Sequence, residues 1–170
     1  MKMAGPRRQV ARTVLLVGEG DSEVAWLQHL KSIYVQRGSG VGVTIKNARG
    51  KGAAHVVDVA IRQSRNAAFD TKVVLLDTDT DWTDKTHATA RKAKVLVVPA
   101  DPCLEAWLLA VHAYPIYGKT SAQLKQEFAA RFGAAATDPK VFERHFPHAV
   151  LEVERLRLPA LAELIGFFLL

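Results

Sequence analysis

One short apolar run, VVLL at residues 73–76, limits the folds available to this chain more than any other feature. Four consecutive hydrophobic residues bounded by charged ones are typical of a strand that is buried on both faces. Such a strand needs helices packed above and below it, which is the arrangement of α/β proteins. The run ends in three carboxylates at alternate positions, Asp77, Asp79 and Asp81. The sequence therefore predicts a central strand with a strongly acidic carboxyl end.

Other segments extend this prediction to the whole chain. Apolar or alternating runs at residues 12–17, 41–45 and 95–98 are separated by segments whose apolar residues recur every three or four positions. The runs predict strands, and the segments between them predict amphipathic helices. Strands that alternate with helices favour a mainly parallel sheet. The predicted fold is an α/β three-layer sandwich with a mainly parallel four-stranded sheet, followed by carboxyl-terminal helices.

Helix ends are marked by residues with known capping preferences. Asp21 or Ser22 is expected to cap the helix after the first strand, and Asp101 the helix after the fourth strand. Thr120 and Gln123 have the spacing of a capping box. Each of these residues therefore predicts where a helix begins.

The length of 170 residues fits a single domain. We expect a basic amino-terminal tail at residues 1–11, an α/β core at 12–115 and a helical part at 116–170 packed on that core. The apolar residues 167–170 predict a packing segment, against the core or a second copy of the chain. No signal-peptide or membrane-spanning run is evident, and a lone cysteine, Cys103, fits the reducing cytoplasm.

Glu19 is a second acidic anomaly, because it follows the first predicted strand directly and is flanked by glycines. If the first and third strands are neighbours, Glu19, Asp77 and Asp79 meet at the sheet edge where open α/β proteins bind ligands. Carboxylates gathered there repel one another unless a cation lies between them, and a hard dication such as Mg²⁺ or Mn²⁺ is the natural counter-charge. Glu23, one helical turn further on, is either another ligand or a favourable charge at the positive helix end.

Two more acidic residues, and basic residues in two segments at 49–51 and 85–92, are further candidates for the site. Glu105 lies in an otherwise apolar helical segment, where a buried carboxylate needs a partner such as the metal or an arginine, and Asp101 stands near the same segment. The formal net charge of +6 favours a polyanionic partner such as nucleic acid. The basic residues expected to contact it are Arg49, Lys51, Lys85, Arg91 and Lys92.

The motifs follow one another in a particular order. It runs from an apolar strand at residues 14–17 through Glu19-Gly20-x-x-Glu23 and Asp77-x-Asp79-x-Asp81 to Asp101-Pro102-Cys103-x-Glu105-x-Trp107. This order resembles the RloB-like proteins, a branch of the TOPRIM superfamily related to OLD-type nucleases, over roughly the first two thirds of the chain. The proline-cysteine-x-glutamate-x-tryptophan stretch is the part most particular to that branch.

The resemblance implies a TOPRIM-like core with a magnesium-dependent nuclease activity linked to restriction or phage defence. It implies that Glu19 transfers a proton or faces the metal, that Asp77 and Asp79 bind the metal, and that Asp81 supports them. Because OLD-type nucleases use the second glutamate, it also implies a metal role for Glu23. The chain departs from the family at Asp101, where asparagine is more common.

Two other functions fit the same residues. The stretch around Asp77 and Asp79 also fits the first motif of haloacid-dehalogenase-type phosphatases, in which Asp77 would be a nucleophile and Asp79 a general acid. That family needs a further acidic pair after a later strand, where this chain offers Asp101, and it leaves Glu19 unexplained. A module that binds metal and nucleic acid without cutting is the other alternative.

Overall fold

A four-stranded parallel sheet forms the centre of the structure, a computed structural model that describes residues 10–79 and 81–170. The strands are β1 (Arg12–Gly18), β2 (Val41–Asn47), β3 (Thr71–Asp77) and β4 (Leu96–Ala100). They lie in the order β2-β1-β3-β4, and each neighbouring pair is parallel. The predicted α/β fold with a parallel four-stranded sheet is confirmed, and the first and third strands are neighbours.

Eight helices surround this sheet within the described residues. They are α1 (Asp21–Tyr34), α2 (Gly52–Asn66), α3 (Asp84–Lys92), α4 (Leu104–Val111), α5 (Ser121–Phe132), α6 (Pro139–His145), α7 (His148–Glu154) and α8 (Pro159–Gly166). Helix α7 was not predicted, because a helix of seven residues is too short for a periodic apolar pattern to stand out.

The two faces of the sheet are buried in two separate cores. Val14 and Leu16 of β1 pack with α1 and the carboxyl-terminal helices, whereas Leu15 and Val17 pack with α2 and α3. Strand β3 divides its residues in the same alternating way. Successive side chains of a strand point to opposite faces, so an unbroken apolar run satisfies both cores. This explains why the run at residues 73–76 has no polar member.

The predicted capping box in the helical part is confirmed, and the structure shows further caps beside it. Thr120 and Gln123 form both hydrogen bonds of a capping box at the start of α5, and Gly133 ends that helix with φ of 83°. Asp138 caps α6 by accepting a hydrogen bond from the backbone N–H of Lys140. These caps depend on residues within one turn of each other, which is why the sequence reveals them.

Two capping predictions are wrong. The N-cap of α1 is Gly20, not Asp21 or Ser22, and the cap of α4 is Cys103, not Asp101. In both cases a different carboxylate, Glu23 at α1 and Asp77 at α4, accepts a hydrogen bond from a backbone N–H at the helix start. A backbone N–H at a helix start can donate a hydrogen bond to any well-placed carboxylate, including one distant in sequence.

The chain ends also bear on the predictions. Phe167 and Phe168 are buried in the core beneath α8, whereas Leu170 is 77% exposed, so the terminal segment packs on its own chain. Most of the predicted basic tail at residues 1–11 lies outside the described residues. No helix in the two described ranges combines the length and the apolar character needed to cross a bilayer.

Candidate metal and nucleic-acid site

The carboxyl ends of β1 and β3 bring Glu19 against Asp77. The backbone N–H of Glu19 donates to the carbonyl of Leu75 at 3.1 Å, which continues the β1–β3 pairing by one residue. The side chain of Glu19 then turns back, and its Oε2 accepts a hydrogen bond from the backbone N–H of Asp77 at 2.9 Å. Acidic residues 58 positions apart therefore share one edge of the sheet.

Glycine allows α1 to begin close to this edge. A Cβ atom on Gly18 would lie 2.9 Å from the Cβ of Glu23, so any other residue would push the helix away. Glu23 is folded back at the helix start, where its Oε2 accepts from the backbone N–H of Gly20 at 2.8 Å. The turn between β1 and α1 thus places two glutamates, Glu19 and Glu23, at the carboxyl edge of the sheet.

Asp77 links this edge to α4. Its Oδ1 accepts a hydrogen bond from the backbone N–H of Leu104 at 2.9 Å. The carboxylate at the end of β3 therefore caps the amino end of α4. The next residue of that helix, Glu105, is therefore held near Asp77. Within the described residues, its buried Oε2 has no hydrogen-bond partner.

Glu23, Asp77 and Glu105 are all buried, with exposed fractions of 5%, 8% and 5%. We call these three residues together with Glu19 the carboxylate cluster. Burial, helped by the charges of Glu105 and Glu19, raises the pKa of Glu23 to about 7. Burial, followed by the charge of Glu23, raises the pKa of Asp77 to about 8. Crowding of like charges in a poorly solvated place is the physical cause.

Glu19 is less buried, and its pKa is raised in the same direction. Burial is the main cause, the hydrogen bond from Asp77 opposes it, and the charges of Asp79 and Asp81 add to it. Asp79 itself is exposed at the start of the loop after β3. The structure therefore places Asp79 at the open side of the carboxylate cluster.

Lys125 of α5 is a residue of this site that sequence analysis missed. Its Nζ lies 3.9 Å from Oδ2 of Asp77, and its side chain is 50% exposed. Although burial lowers the pKa of Lys125, the charges of Glu105 and Asp77 raise it above its usual value. No motif marks Lys125, because its role depends on how α5 packs against α4. The one local signal is its position directly after Leu124, at the border of the buried helix face.

The remaining acidic candidates lie elsewhere. Oδ1 of Asp81 accepts a hydrogen bond from the backbone N–H of Ala53 at 2.7 Å, in the first turn of α2. Asp101 is exposed and accepts from the hydroxyl of Thr78 at 2.7 Å. Thr80, between Asp79 and Asp81, lies outside the described residues.

The structure separates the predicted nucleic-acid-binding residues into two groups. Arg49 and Lys51 are in the β2–α2 loop at the carboxyl edge, where Gly50 donates its N–H to the carbonyl of Glu19 at 2.7 Å. Lys85 is in the first turn of α3 and lines a groove that also includes Asp81. Arg91 and Lys92 are exposed in the last turn of α3, which leads into the amino end of β4.

The amino ends of parallel strands lie at the opposite edge of the sheet from their carboxyl ends. Lys72 marks that edge, because this second residue of β3 donates its Nζ to the carbonyl of Ala93, just after α3. Arg91 and Lys92 are therefore not beside the carboxylate cluster, whereas Arg49, Lys51 and Lys85 are on its side. Basic character along a helix does not tell which end of that helix faces the site.

The donor atoms of the cluster suit a hard dication. All of them are carboxylate oxygens, and the unpartnered oxygen of Glu105 is a buried donor with its ligand position open. In the arrangement described for residues 10–79 and 81–170, no three His, Cys, Asp or Glu side chains already converge to hold a metal ion. Binding would therefore require some of these carboxylates to rotate away from their present partners.

Comparisons with protein-family models, with curated proteins and with solved structures give no match to this chain.

Proposed function

We propose that this protein is a metal-dependent nuclease that hydrolyses phosphodiester bonds with Mg²⁺ or Mn²⁺ as its cofactor. The proposal depends on one observation, the meeting of Glu19, Glu23, Asp77 and Glu105 at one sheet edge, with an unpartnered buried oxygen among them. Such a group of carboxylates is costly in the free protein, because burial and mutual repulsion disfavour the charged forms. A bound dication would offset that cost, which explains why the carboxylates lie together.

The order of motifs supports a more specific proposal. We assign the chain to the RloB-like branch of the TOPRIM superfamily, on the sequence from Glu19 through Asp77 and Asp79 to Glu105 and Trp107. That assignment favours a polymeric nucleic acid as substrate. It also favours a cytoplasmic protein in restriction or phage defence, acting as a homodimer or with a partner protein.

The acidic residues divide into two roles. Asp77, Asp79 and Glu105 would hold the dication, with Glu23 within the same cluster. When bound, the dication supplies charge stabilisation at the phosphoryl oxygens and lowers the pKa of a bound water. Glu19 is suited to proton transfer, because one of its oxygens is fixed by the N–H of Asp77 and its pKa is raised toward neutrality.

The basic residues would bind the phosphates of a substrate that the carboxylates would otherwise repel. The half-exposed ammonium of Lys125 lies next to Asp77, where it offsets negative charge on a phosphoryl oxygen. Arg49, Lys51 and Lys85 are exposed on the same edge and are suited to neighbouring phosphates of the strand. The net charge of +6 raises the local concentration of such a polyanion.

The test is a cleavage assay with purified protein on single-stranded and double-stranded DNA and RNA. We expect fragments with Mg²⁺ or Mn²⁺ and none with EDTA. Asp79→Asn should lower the rate at least about a hundredfold, since a metal ligand contributes several kcal/mol to the transition state. Asp58→Asn is the matched control, because Asp58 is exposed on α2, where it forms an ion pair with Arg62.

Other outcomes would replace this proposal. Hydrolysis of small phosphate monoesters with intact polymers would identify a phosphatase that uses Asp77 as nucleophile. A shift of nucleic acid in a gel without fragments, at every metal concentration tried, would identify a binding module. Full activity of Asp79→Asn would show that Asp79 does not hold the metal for cleavage, and full activity of Asp77→Asn as well would show that the carboxylate cluster is not the site of cleavage.

A further inference from the structure

The loop between β2 and α2 has an unusual backbone. Four consecutive residues, Arg49, Gly50, Lys51 and Gly52, have positive φ values of 59°, 77°, 71° and 82°. Two of them carry side chains, and the left-handed conformation costs such residues about 1 kcal/mol or more each. A backbone of this kind persists only where its surroundings hold it in place. The two side chains held in this way are Arg49 and Lys51, which lie at the same edge of the sheet as the carboxylate cluster.

On one side, the loop is attached to the β1–α1 turn. The backbone N–H of Gly50 donates to the carbonyl of Glu19 at 2.7 Å. The side chain of Asn47 joins the same region, since its Oδ1 accepts from the N–H of Arg49 and its Nδ2 donates to Oδ1 of Asp21, both at 2.7 Å. The position of the basic loop is therefore tied to the backbone of the residue proposed for proton transfer.

On the other side, the loop is attached to the segment after β3 through Asp81. Oδ1 of Asp81 accepts from the N–H of Ala53 at 2.7 Å. The carboxylate also lies directly over Gly52, where a Cβ atom would collide with it. A carboxylate at this position satisfies an otherwise unpaired helix N–H and interacts favourably with the positive end of the helix.

We propose that Asp81 is a positioning residue that fixes Arg49 and Lys51 beside the carboxylate cluster, and is not a metal ligand. The inference rests on the proposed function and assigns the third aspartate of the acidic run a different role from the first two. Asp77 and Asp79 serve the chemistry of the site. Asp81 serves substrate binding, because it holds the basic loop at the sheet edge that carries the carboxylate cluster.

The two possible roles of Asp81 predict opposite effects of asparagine. Asparagine and aspartate cap helix starts about equally well, so a positioning role survives Asp81→Asn and fails in Asp81→Ala. A metal ligand, in contrast, loses its charge in both variants. Gly52→Ala is an independent way to displace the same carboxylate. Asp138→Ala removes the cap of α6, away from the loop, and controls for a general loss of stability.

The experiment measures nucleic-acid affinity and cleavage in this set of variants. Affinity is measured by fluorescence anisotropy with labelled duplex DNA and the RNA of the same sequence, in Ca²⁺ to prevent turnover. Cleavage is measured in Mg²⁺ as kcat and KM, together with the Mg²⁺ concentration for half-maximal rate. We expect Asp81→Ala and Gly52→Ala to weaken binding and raise KM about five- to tenfold, the effect of a lost cap, with kcat unchanged. Asp81→Asn should recover most of that affinity, and Asp138→Ala should change neither value.

Hydrogen exchange supplies a readout that does not depend on activity. The amides of the β2–α2 loop and the first turn of α2 should exchange faster in Asp81→Ala than in wild type, and Asp81→Asn should stay close to wild type. Equal exchange in Asp81→Ala and wild type would overturn the inference.

The failures of the two proposals are distinguishable. If wild type cleaves, and Asp81→Asn is as inactive as Asp79→Asn or needs much more Mg²⁺, the inference is wrong and the proposed function stands. If wild type neither binds nor cleaves nucleic acid, both are wrong.

Discussion

Two buried clusters lie side by side on α1, one made of charges and one made of aromatic rings. Glu23 belongs to the carboxylate cluster, and Trp26, one helical turn later, packs against Phe142 and Phe146 with ring centroids 5.2 and 5.6 Å away. Glu23, Asp77 and Glu105 of the first cluster are shielded from water, and so are the rings of the second. Burial of rings is favourable by itself, whereas burial of carboxylates is favourable only with a counter-charge. The aromatic cluster therefore stabilises the fold, and the carboxylate cluster is maintained at the expense of stability.

The largest effect is expected from the aromatic cluster. Phe146→Ala removes a fully buried ring that contacts Trp26 and Phe142. We expect it to lower the free energy of unfolding by about 3–5 kcal/mol, as measured by urea denaturation. Leu170→Ala, at a site that is 77% exposed, is the control and should have little effect. A loss below about 1 kcal/mol would contradict a close-packed aromatic core.

Glu23→Gln, in contrast, should raise the free energy of unfolding, and the size of this increase should depend on pH. The pKa of Glu23 is about 7 in the folded protein and 4.5 as an ordinary glutamate, so the folded state holds a proton that the unfolded state has released. Its contribution to stability is therefore complete below pH 4.5 and declines as the pH rises to about 7.

In EDTA, Glu23→Gln should match wild type near pH 4.5 and be more stable by up to about 3 kcal/mol at pH 8. Urea denaturation of both proteins across this range measures the difference. The comparison removes contributions from titrating groups that do not interact with Glu23, whereas Asp77, whose pKa the charge of Glu23 raises, adds to the pH-dependent difference. A constant difference across the range would show that the pKa of Glu23 is not raised.

A smaller effect is expected at Glu105, and it should reverse when metal is added. Glu105→Gln neutralises a buried charge whose oxygen has no partner, so in EDTA we expect a gain of about 1–2 kcal/mol. With Mn²⁺, wild type should gain thermal stability and the variant should gain much less. Glu163→Gln, on the exposed face of α8, is the matched control. Lower stability of Glu105→Gln in EDTA would contradict the proposed cost of the cluster.

The smallest effect is expected from a pair of exposed charges. Arg62 and Asp58 lie 3.0 Å apart one turn from each other on α2, and both side chains are more than half exposed. Arg62→Ala should change the free energy of unfolding by less than about 0.5 kcal/mol, because water screens such pairs. A larger change in urea denaturation would mean that charge alone, without burial, governs stability in this protein.

Much of the fold could be predicted because its signals are local. An unbroken apolar run at β3, alternation at β2 and the box at Thr120 and Gln123 each depend on neighbours within a few residues. The meeting of Glu19 with Asp77 was predictable as well, since parallel strands end at the same edge. Their roles in metal binding stay predictions until the experiments above are done.

Most of what the sequence did not reveal has one physical cause. Asp77, 27 positions away, replaced the expected cap Asp101 at the start of α4, and Asp81, 28 positions away, meets the start of α2, for which no cap was predicted. Arg91 and Lys92 resemble Arg49 and Lys51 in sequence, but the direction of α3 places them at the other edge of the sheet. Hydrogen-bond partners and charge neighbours over such separations depend on packing, which no short pattern encodes.

The sequence by itself determined the parallel α/β layering and the acidic carboxyl edge, because hydrophobic periodicity and strand direction are sufficient for both. Only the tertiary structure decided which charges share that edge. It added Lys125 from α5, left an oxygen of Glu105 without a partner among the residues that the structure describes, and attached Asp81 to α2. The reason is that burial and Coulomb interactions act through space, and they take their values only when distant segments have packed together.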